Sequence, residues 1–256
     1  MSPKPFLKIV QIIYSIFAWV FLIITCFPLF LFDFIIWLLT FWWDKRTWIL
    51  HRYSIFWAMF YIWCNPLWKI DIKGRKNIRK RKTYVIISNH QSALDIVILY
   101  RLGTHFKWIA KRELFKVPFV GWNLILNRHV PVDRNSSRSA MVMMKKAVDH
   151  LKQGSSILVF PEGTRSGDGA IKRFKDGAFI IAEKAEVAIL PVVINGTLET
   201  LPKSGMIGGR QTFTIHVLPE IPYDSFKGKS PSEIAKEMQQ LMIEEHKKIA
   251  PKYYKG

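Results

Sequence analysis

The stretch NHQSALD, Asn89 to Asp95, holds a histidine and a carboxylate five residues apart. Within one helix five residues turn through about 500°, which would leave His90 and Asp95 roughly 140° apart. They can meet if the helix begins inside the stretch, because Ser92 is a good N-cap and Asp95 completes an S-x-x-D pattern. First-turn side chains point back toward the N-terminus, so the sequence predicts that Asp95 reaches His90 in the preceding loop.

A histidine paired in this way is suited to general-base chemistry. A carboxylate bonded to one imidazole nitrogen fixes the tautomer and leaves the other nitrogen free to accept a proton from a hydroxyl. The sequence contains no G-x-S-x-G nucleophile, so the hydroxyl is predicted to belong to a substrate. The alternative interpretation is that Asp95 only caps a helix and His90 is a polar loop residue.

A second stretch, FPEGTRSGDGAIKRFKDGA, begins at Phe160 after an apolar run. Its predicted loop contains Glu162, Gly163, Thr164 and Arg165. Backbone donors and the planar, bidentate guanidinium of Arg165 suit an anionic oxygen such as that of a phosphate. The alternative is an ordinary surface loop with a solvated arginine.

Two further pairs of charged residues follow predicted strands. They are Lys111 with Arg112, and Asp133 with Arg134. We expect them to add positive charge to the same face, although each pair alone is more often a surface feature.

From Lys69 onward, short apolar segments alternate with helical patterns. The predicted strands are Thr83–Ser88, Phe106–Ala110, His129–Val132, Ser156–Phe160, Val187–Ile194 and Phe213–Leu218. Helices are predicted over Ser136–Gln153 and Pro231–Ile249. The pattern indicates an α/β domain with a mostly parallel central sheet flanked by helices, which places the polar motifs at the carboxyl ends of the strands.

The N-terminal part of the chain is apolar. No charged residue occurs from Ile9 to Phe32, and a helix of that length would reach roughly 36 Å, enough for a hydrocarbon core. Either one tilted helix spans the membrane, or a helical pair broken near Pro28 dips into one leaflet. The aromatic run Tyr53–Trp68 fits either the headgroup level or a core helix. We therefore predict membrane-associating helices over 1–68 and a catalytic domain over 69–256.

Charge and composition narrow the class of partner. The 256 residues include 38 Lys and Arg against 19 Asp and Glu, a net charge of +19, while half are hydrophobic. The combination favours a surface that meets an anionic membrane. A nucleic-acid binder is disfavoured because the aromatics concentrate in the apolar N-terminal third. The two cysteines, Cys26 and Cys64, have no metal-ligand or redox spacing and indicate buried thiols in a reducing compartment.

Four motifs together resemble the glycerolipid acyltransferase family. NHQSALD is similar to its NHxxxxD motif, FPEGTRS matches its FPEGTRS motif to the letter, VPVDR resembles its arginine-containing motif, and ILPVVI resembles its terminal proline motif. They occur in the family's order from Asn89 to Ile194. Pro131, beside VDR, departs from the more usual aromatic or aliphatic pattern and leaves the position of Arg134 less defined.

The resemblance implies transfer of a fatty acyl group from a thioester to the sn-2 hydroxyl of lysophosphatidic acid, giving phosphatidic acid. His90 would be the base and Asp95 its orienting partner. The substrate-binding residues would be Lys111, Arg134, Glu162, Gly163, Thr164 and Arg165. No metal or cofactor is expected beyond the acyl donor, which is acyl-CoA or acyl carrier protein.

The expected partners are membrane phospholipid, lysophosphatidic acid and the acyl thioester, with no nucleic acid. The expected location is the bacterial inner membrane, with the catalytic domain on the cytoplasmic side. Two alternatives stay open: an acyltransferase acting on glycerol 3-phosphate or another lysophospholipid, and a non-catalytic membrane lipid-binding protein.

Overall fold

A computed structural model describes residues 5–133 and 136–254. The α-helices are α1 Pro5–Thr40, α2 Trp48–Trp63, α3 Leu94–Leu99, α4 Val120–Leu126, α5 Ser137–Lys152, α6 Gly177–Ala185, α7 Thr197–Thr200 and α8 Pro231–Ile249. The strands are β1 Trp68–Lys73, β2 Val85–Ser88, β3 Phe106–Lys111, β4 Val130–Val132, β5 Ser156–Val159, β6 Ile189–Asn195 and β7 Gln211–Val217.

The seven strands form one sheet in the order β1-β7-β6-β2-β5-β3-β4. Every pairing is parallel except that of β6 with β7. The carboxyl ends of β2 to β6 therefore lie at one edge of the sheet, as the sequence predicted for the polar motifs. Central strands such as β2 are buried along their whole length, which explains their continuous apolar runs.

Helices cover both faces of the sheet. Val85 and Ile87 of β2 face a core shared with α5, α6 and α8, whereas Ile86 faces a second core shared with α2 and α3. This alternation follows from the two-residue repeat of a strand. The predicted mostly parallel α/β sheet flanked by helices is confirmed.

Helix α1 is continuous, so the break predicted as one alternative at Pro28 does not occur. Contacts with α2 hold it on both sides of the proline: Thr25 Oγ1 lies 3.2 Å from Tyr61 Oη, and Tyr53 Oη donates to the carbonyl of Leu29 over 2.9 Å. Within the described residues, α1 is the one helix long and apolar enough to cross a membrane, from Lys8 to Thr40.

One side of α1 packs on the loop between α7 and β7. Ser15 Oγ accepts the N–H of Ile207 over 2.9 Å, and Trp19 Nε1 donates to the carbonyl of Gly205 over 2.9 Å. The other side exposes large apolar residues, among them Ile13, Phe17, Ile23, Ile24 and Phe27. Such a surface is typical of a segment covered by lipid or by another protein.

The elements agree with the predicted ones at most positions. Helix α8 has the predicted bounds and α5 differs by one residue at each end. Strand β1 was not predicted, although WKIDIK alternates apolar and polar residues as an edge strand does. It begins at Trp68, the last residue of the aromatic run, and α2 shares a core with the sheet.

Candidate active site

The predicted contact between His90 and Asp95 is present at the carboxyl end of β2. The two side chains meet through His90 Nδ1 and Asp95 Oδ2, 2.7 Å apart. The same oxygen accepts the backbone N–H groups of Gln91 and Ser92 over 2.7 and 2.8 Å. Because a carboxylate can only accept here, Nδ1 carries the proton and Nε2 is left as an acceptor.

Helix α3 begins at Leu94, slightly later than an N-cap at Ser92 implies. The Ser92 hydroxyl does not bond to the N–H of Asp95. It accepts from Leu94 N over 3.2 Å and donates to the carbonyl of Leu201 over 2.6 Å. One half of the capping box is formed, in which the Asp95 carboxylate accepts the N–H of Ser92. That half is sufficient to bring Asp95 to His90.

The loop after β5 holds His90 in place. Glu162 Oε1 accepts the N–H of His90 over 2.8 Å, and Ser166 N donates to the carbonyl of His90 over 2.7 Å. The imidazole also stacks on the ring of Phe160, with centroids 3.9 Å apart and planes 10° apart. The two sequence motifs therefore interlock around one residue, whose ring is left with little freedom to rotate.

Glu162 is buried, and both of its carboxylate oxygens accept backbone N–H groups. One comes from His90 and the other from Lys172, over 3.0 Å. Burial raises the pKa of Glu162 to about 7, while the N–H groups of Lys172 and His90 favour the charged form. The carboxylate thus connects the loop after β5 to the loop after β2 through backbone groups.

The other predicted loop residues lie closer to solvent. Gly163 has a φ of +72°, and an added Cβ would lie 3.1 Å from Lys175 Cε, which explains why glycine suits this turn. Thr164 is exposed and Arg165 is half-buried. Within the described residues, the Arg165 guanidinium has no hydrogen-bond or ion-pair partner and is available to a ligand.

Of the two other predicted cations, Lys111 is among the described residues and Arg134 is not. Lys111 ends β3 at the same edge of the sheet, but its side chain is half exposed and pairs with Glu113, 3.3 Å away. Arg134 lies outside the described residues. Lys175, placed beside Gly163, is a cation that the sequence analysis did not single out.

Similarity to known proteins adds to the evidence from the geometry. A protein-family model described as Acyltransferase matches residues 69–195. The chain is 32% identical over 183 residues to the 1-acyl-sn-glycerol-3-phosphate acyltransferase of Pseudomonas aeruginosa, covering 70% of this chain and 69% of that protein. The chain belongs to the 1-acyl-sn-glycerol-3-phosphate acyltransferase family.

Other members of this family are more similar in sequence but longer. The chloroplastic enzyme LPAT1 of Arabidopsis thaliana is 41% identical over 153 residues, which is 59% of this chain and 42% of that protein. The chain thus spans less than half the length of the plant relative. The acyltransferase PlsC of Thermotoga maritima has a solved structure that aligns with a TM-score of 0.77 at 23% identity, over 94% of this chain and 97% of that one. That alignment supports the same fold.

Several residues of this site were not predicted as functional. Asn89 bridges to β6, accepting from Ile194 N over 2.8 Å and donating to Ile194 O over 3.0 Å. Phe160 stacks on His90, and Thr197 bonds to Asp95. Asn89 and Phe160 lie inside the recognised motifs, so the motifs themselves could have marked them as functional. Thr197 follows the terminal proline motif, and nothing local in the sequence marks it.

Proposed function

We propose that the protein transfers a fatty acyl group from an acyl thioester to the sn-2 hydroxyl of 1-acyl-glycerol-3-phosphate, forming phosphatidic acid. One observation carries the proposal. The backbone of His90 joins the His90–Asp95 pair to the loop that presents Arg165, whose guanidinium has no partner among residues 5–133 and 136–254. A base for a hydroxyl and a cation for a phosphate thus lie on one connected framework.

His90 acts as general base and Asp95 orients it. Nε2 of His90 takes the proton of the acceptor hydroxyl as the hydroxyl oxygen attacks the thioester carbonyl. The new C–O bond forms and the C–S bond breaks. The imidazolium then returns its proton to the departing thiolate, which leaves as a thiol. Asp95 stabilises the transient imidazolium through Nδ1.

The loop after β5 binds the acceptor. Arg165 holds the phosphate of the acceptor, and Gly163 and Thr164 present backbone and hydroxyl donors beside it. Glu162 acts by holding the backbone of this loop against His90. Lys111, at the carboxyl end of β3, adds positive charge at the same edge, and Arg134 is assigned an assisting role on the basis of the sequence motif alone.

The chain works at a membrane, because its acceptor is a lipid and α1 exposes a long apolar face. We assign it to the bacterial inner membrane with the catalytic domain on the cytoplasmic side. Both cysteines are free, which is consistent with a reducing compartment; Cys26 is buried as predicted, whereas Cys64 is exposed, so the prediction of a buried thiol is wrong for Cys64. The acyl donor is acyl-CoA or acyl carrier protein, and the reaction requires no metal or cofactor.

The test is acyl transfer by the purified full chain in detergent. The acyl donor is either acyl-CoA or acyl carrier protein, each with a labelled acyl group. Each donor is combined in turn with lysophosphatidic acid, glycerol 3-phosphate or lysophosphatidylcholine. We expect labelled phosphatidic acid to form from lysophosphatidic acid. The rate of transfer should fall by about 10²- to 10⁴-fold in His90→Ala. His216→Gln is the matched control, because His216 bonds to Glu245 and should leave the rate unchanged.

The outcomes separate the alternatives. Transfer mainly to glycerol 3-phosphate or to lysophosphatidylcholine would identify that compound as the acceptor in place of lysophosphatidic acid. Binding of lysophosphatidic acid without transfer from either thioester would indicate a lipid-binding protein. Equal rates in wild type and His90→Ala would remove His90 as the base.

A further inference from the structure

Asp95 has no exposed surface, and its two oxygens are used differently. Oδ2 already accepts three N–H groups, from the His90 ring and from the Gln91 and Ser92 backbones. Within the described residues, Oδ1 has a single partner, the hydroxyl of Thr197. Thr197 is therefore the contact that holds the second oxygen of a carboxylate whose first oxygen is already fixed, and it limits rotation about the Cβ–Cγ bond of Asp95.

Thr197 reaches Asp95 because of the turn that follows β6. Gly196 has a φ of +99°, and an added Cβ would lie 2.7 Å from Gln211 Nε2 and 3.0 Å from the carbonyl of Thr212. The turn thus needs glycine, and it starts α7 with Thr197 fully buried. The double hydrogen bond of Asn89 to Ile194 fixes β6 against the loop after β2 that carries His90.

From this geometry we propose that Thr197 is a positioning residue for the acyl-transfer base, an inference that rests on the proposed function. The hydroxyl holds Oδ1, which keeps Oδ2 directed at His90 Nδ1 and Nε2 directed at the acceptor hydroxyl. A buried carboxylate is costly unless its oxygens are hydrogen-bonded, so the same contact supports the charge that the imidazolium meets during transfer.

The effect should fall on the chemical step. Thr197 is buried behind Asp95 and acts through it, so its hydroxyl adds little to the binding of either substrate. A residue that acts mainly in the transition state changes kcat, with KM nearly constant. Loss of one hydrogen bond to a charged group lowers kcat by about 10-fold to 100-fold.

The experiment compares variants that differ by one group. Thr197→Ser keeps the hydroxyl and should stay within about threefold of wild type. Thr197→Val keeps the shape and loses the hydroxyl, and should lower kcat with both KM values nearly unchanged. Thr197→Ala against Thr197→Ser repeats the comparison if the valine variant does not fold. Thr200→Val is the matched control, since its hydroxyl is buried in α7 and donates to Gly196 O over 2.9 Å.

A second arm tests whether Thr197 acts through the base. In the His90→Ala protein, adding Thr197→Val should change the residual rate by less than about twofold, because coupled residues are not additive. A full, additive loss in that background would overturn the inference, as would equal kcat values for the serine, alanine and valine variants. An inactive wild type would instead count against the proposed function, so the two failures are distinguishable.

Discussion

His90 is held through its ring, its N–H and its carbonyl by one segment, residues 160–166. Behind the ring, Trp108 stacks on Phe160 with centroids 5.7 Å apart. A flat aromatic support of this kind removes rotational freedom that a base would otherwise lose on reaching the transition state. A change that moves the backbone of residues 160–166 is therefore expected to reach the base as well as the acceptor.

Arg165 is the member of that segment whose side chain can be tested separately. Since its guanidinium has no partner within the described residues, Arg165→Ala should leave the His90 contacts intact. A charge-assisted contact to phosphate is worth roughly 1.5 to 3 kcal/mol, or about 10- to 150-fold in affinity. We expect KM for lysophosphatidic acid to rise by that factor, with little change in KM for the thioester or in kcat.

Steady-state kinetics in which each substrate is varied in turn measures this effect. Arg165→Lys should recover only part of the loss, because a point charge lacks the bidentate fork. Arg173→Ala is the control, since Arg173 is exposed and lines a cavity beside α8. A rise in the thioester KM alone would assign Arg165 to the donor.

At this scale the sequence predicted contacts that are local and missed those that are distant. His90 and Asp95 are five residues apart, so capping geometry alone brings them together. The Phe160 ring and the Thr197 hydroxyl reach the pair from elements 70 and 102 residues away. Which side chain arrives there depends on strand order, which no local pattern encodes.

Helix α1 combines an apolar face with a short polar stripe. Gln11 and Ser15 bond to Ile207 and Trp19 bonds to Gly205. The loop that they hold also carries Leu201, whose carbonyl accepts the Ser92 hydroxyl beside the base. The helix thus supports one wall of the active site in addition to its apolar surface.

Ser15→Ala tests this support. Ile207 is buried, and the substitution leaves its N–H without an acceptor, at a cost of about 1–3 kcal/mol. We expect faster trypsin cleavage after Lys203 and Arg210, which are exposed in the loop, with unchanged sedimentation on liposomes. Thr40→Ala is the control, because the Thr40 hydroxyl donates within α1. Equal cleavage of both variants would contradict the role of Ser15.

Elements with strong local signals were predicted well. Helix α8 starts with a complete capping box between Ser230 and Glu233, and its observed bounds are the predicted ones. The continuity of α1 was left open because Pro28 signals a break, whereas packing on α2 overrides that signal. The antiparallel placement of β7 next to β6 depends on long-range pairing and was not predicted.

The whole molecule carries five histidines whose pKa is lowered, mainly by burial. The values are about 3 for His51, about 2 for His105, about 4 for His150 and about 4 for His246, with His129 well below its usual range. Four of them lie near the buried Lys107, whose charge lowers their pKa further. Each therefore takes up its proton at a lower pH in the folded protein than in the unfolded chain.

These histidines predict loss of stability in acid. A depressed histidine pKa means that the unfolded chain binds more protons below pH about 6.5, so the free energy of unfolding falls as pH decreases from there toward 4. We expect Tm in detergent to drop steeply over this window, with smaller changes from pH 7 to 8. His246→Gln should lower by about one the number of protons taken up on unfolding in this window, which makes the fall in Tm shallower. A flat Tm between pH 6.5 and 4 would contradict the prediction.

The bond between Ser15 and Ile207 joins residues 192 positions apart. At about 5–20 residues per second, the ribosome needs roughly 10–40 s to make the intervening chain. During that interval the apolar helix has emerged and the loop that covers its polar stripe does not yet exist. We therefore expect lipid or a chaperone to shelter α1 during that interval, and the active-site wall is completed only when the later segment packs back on α1.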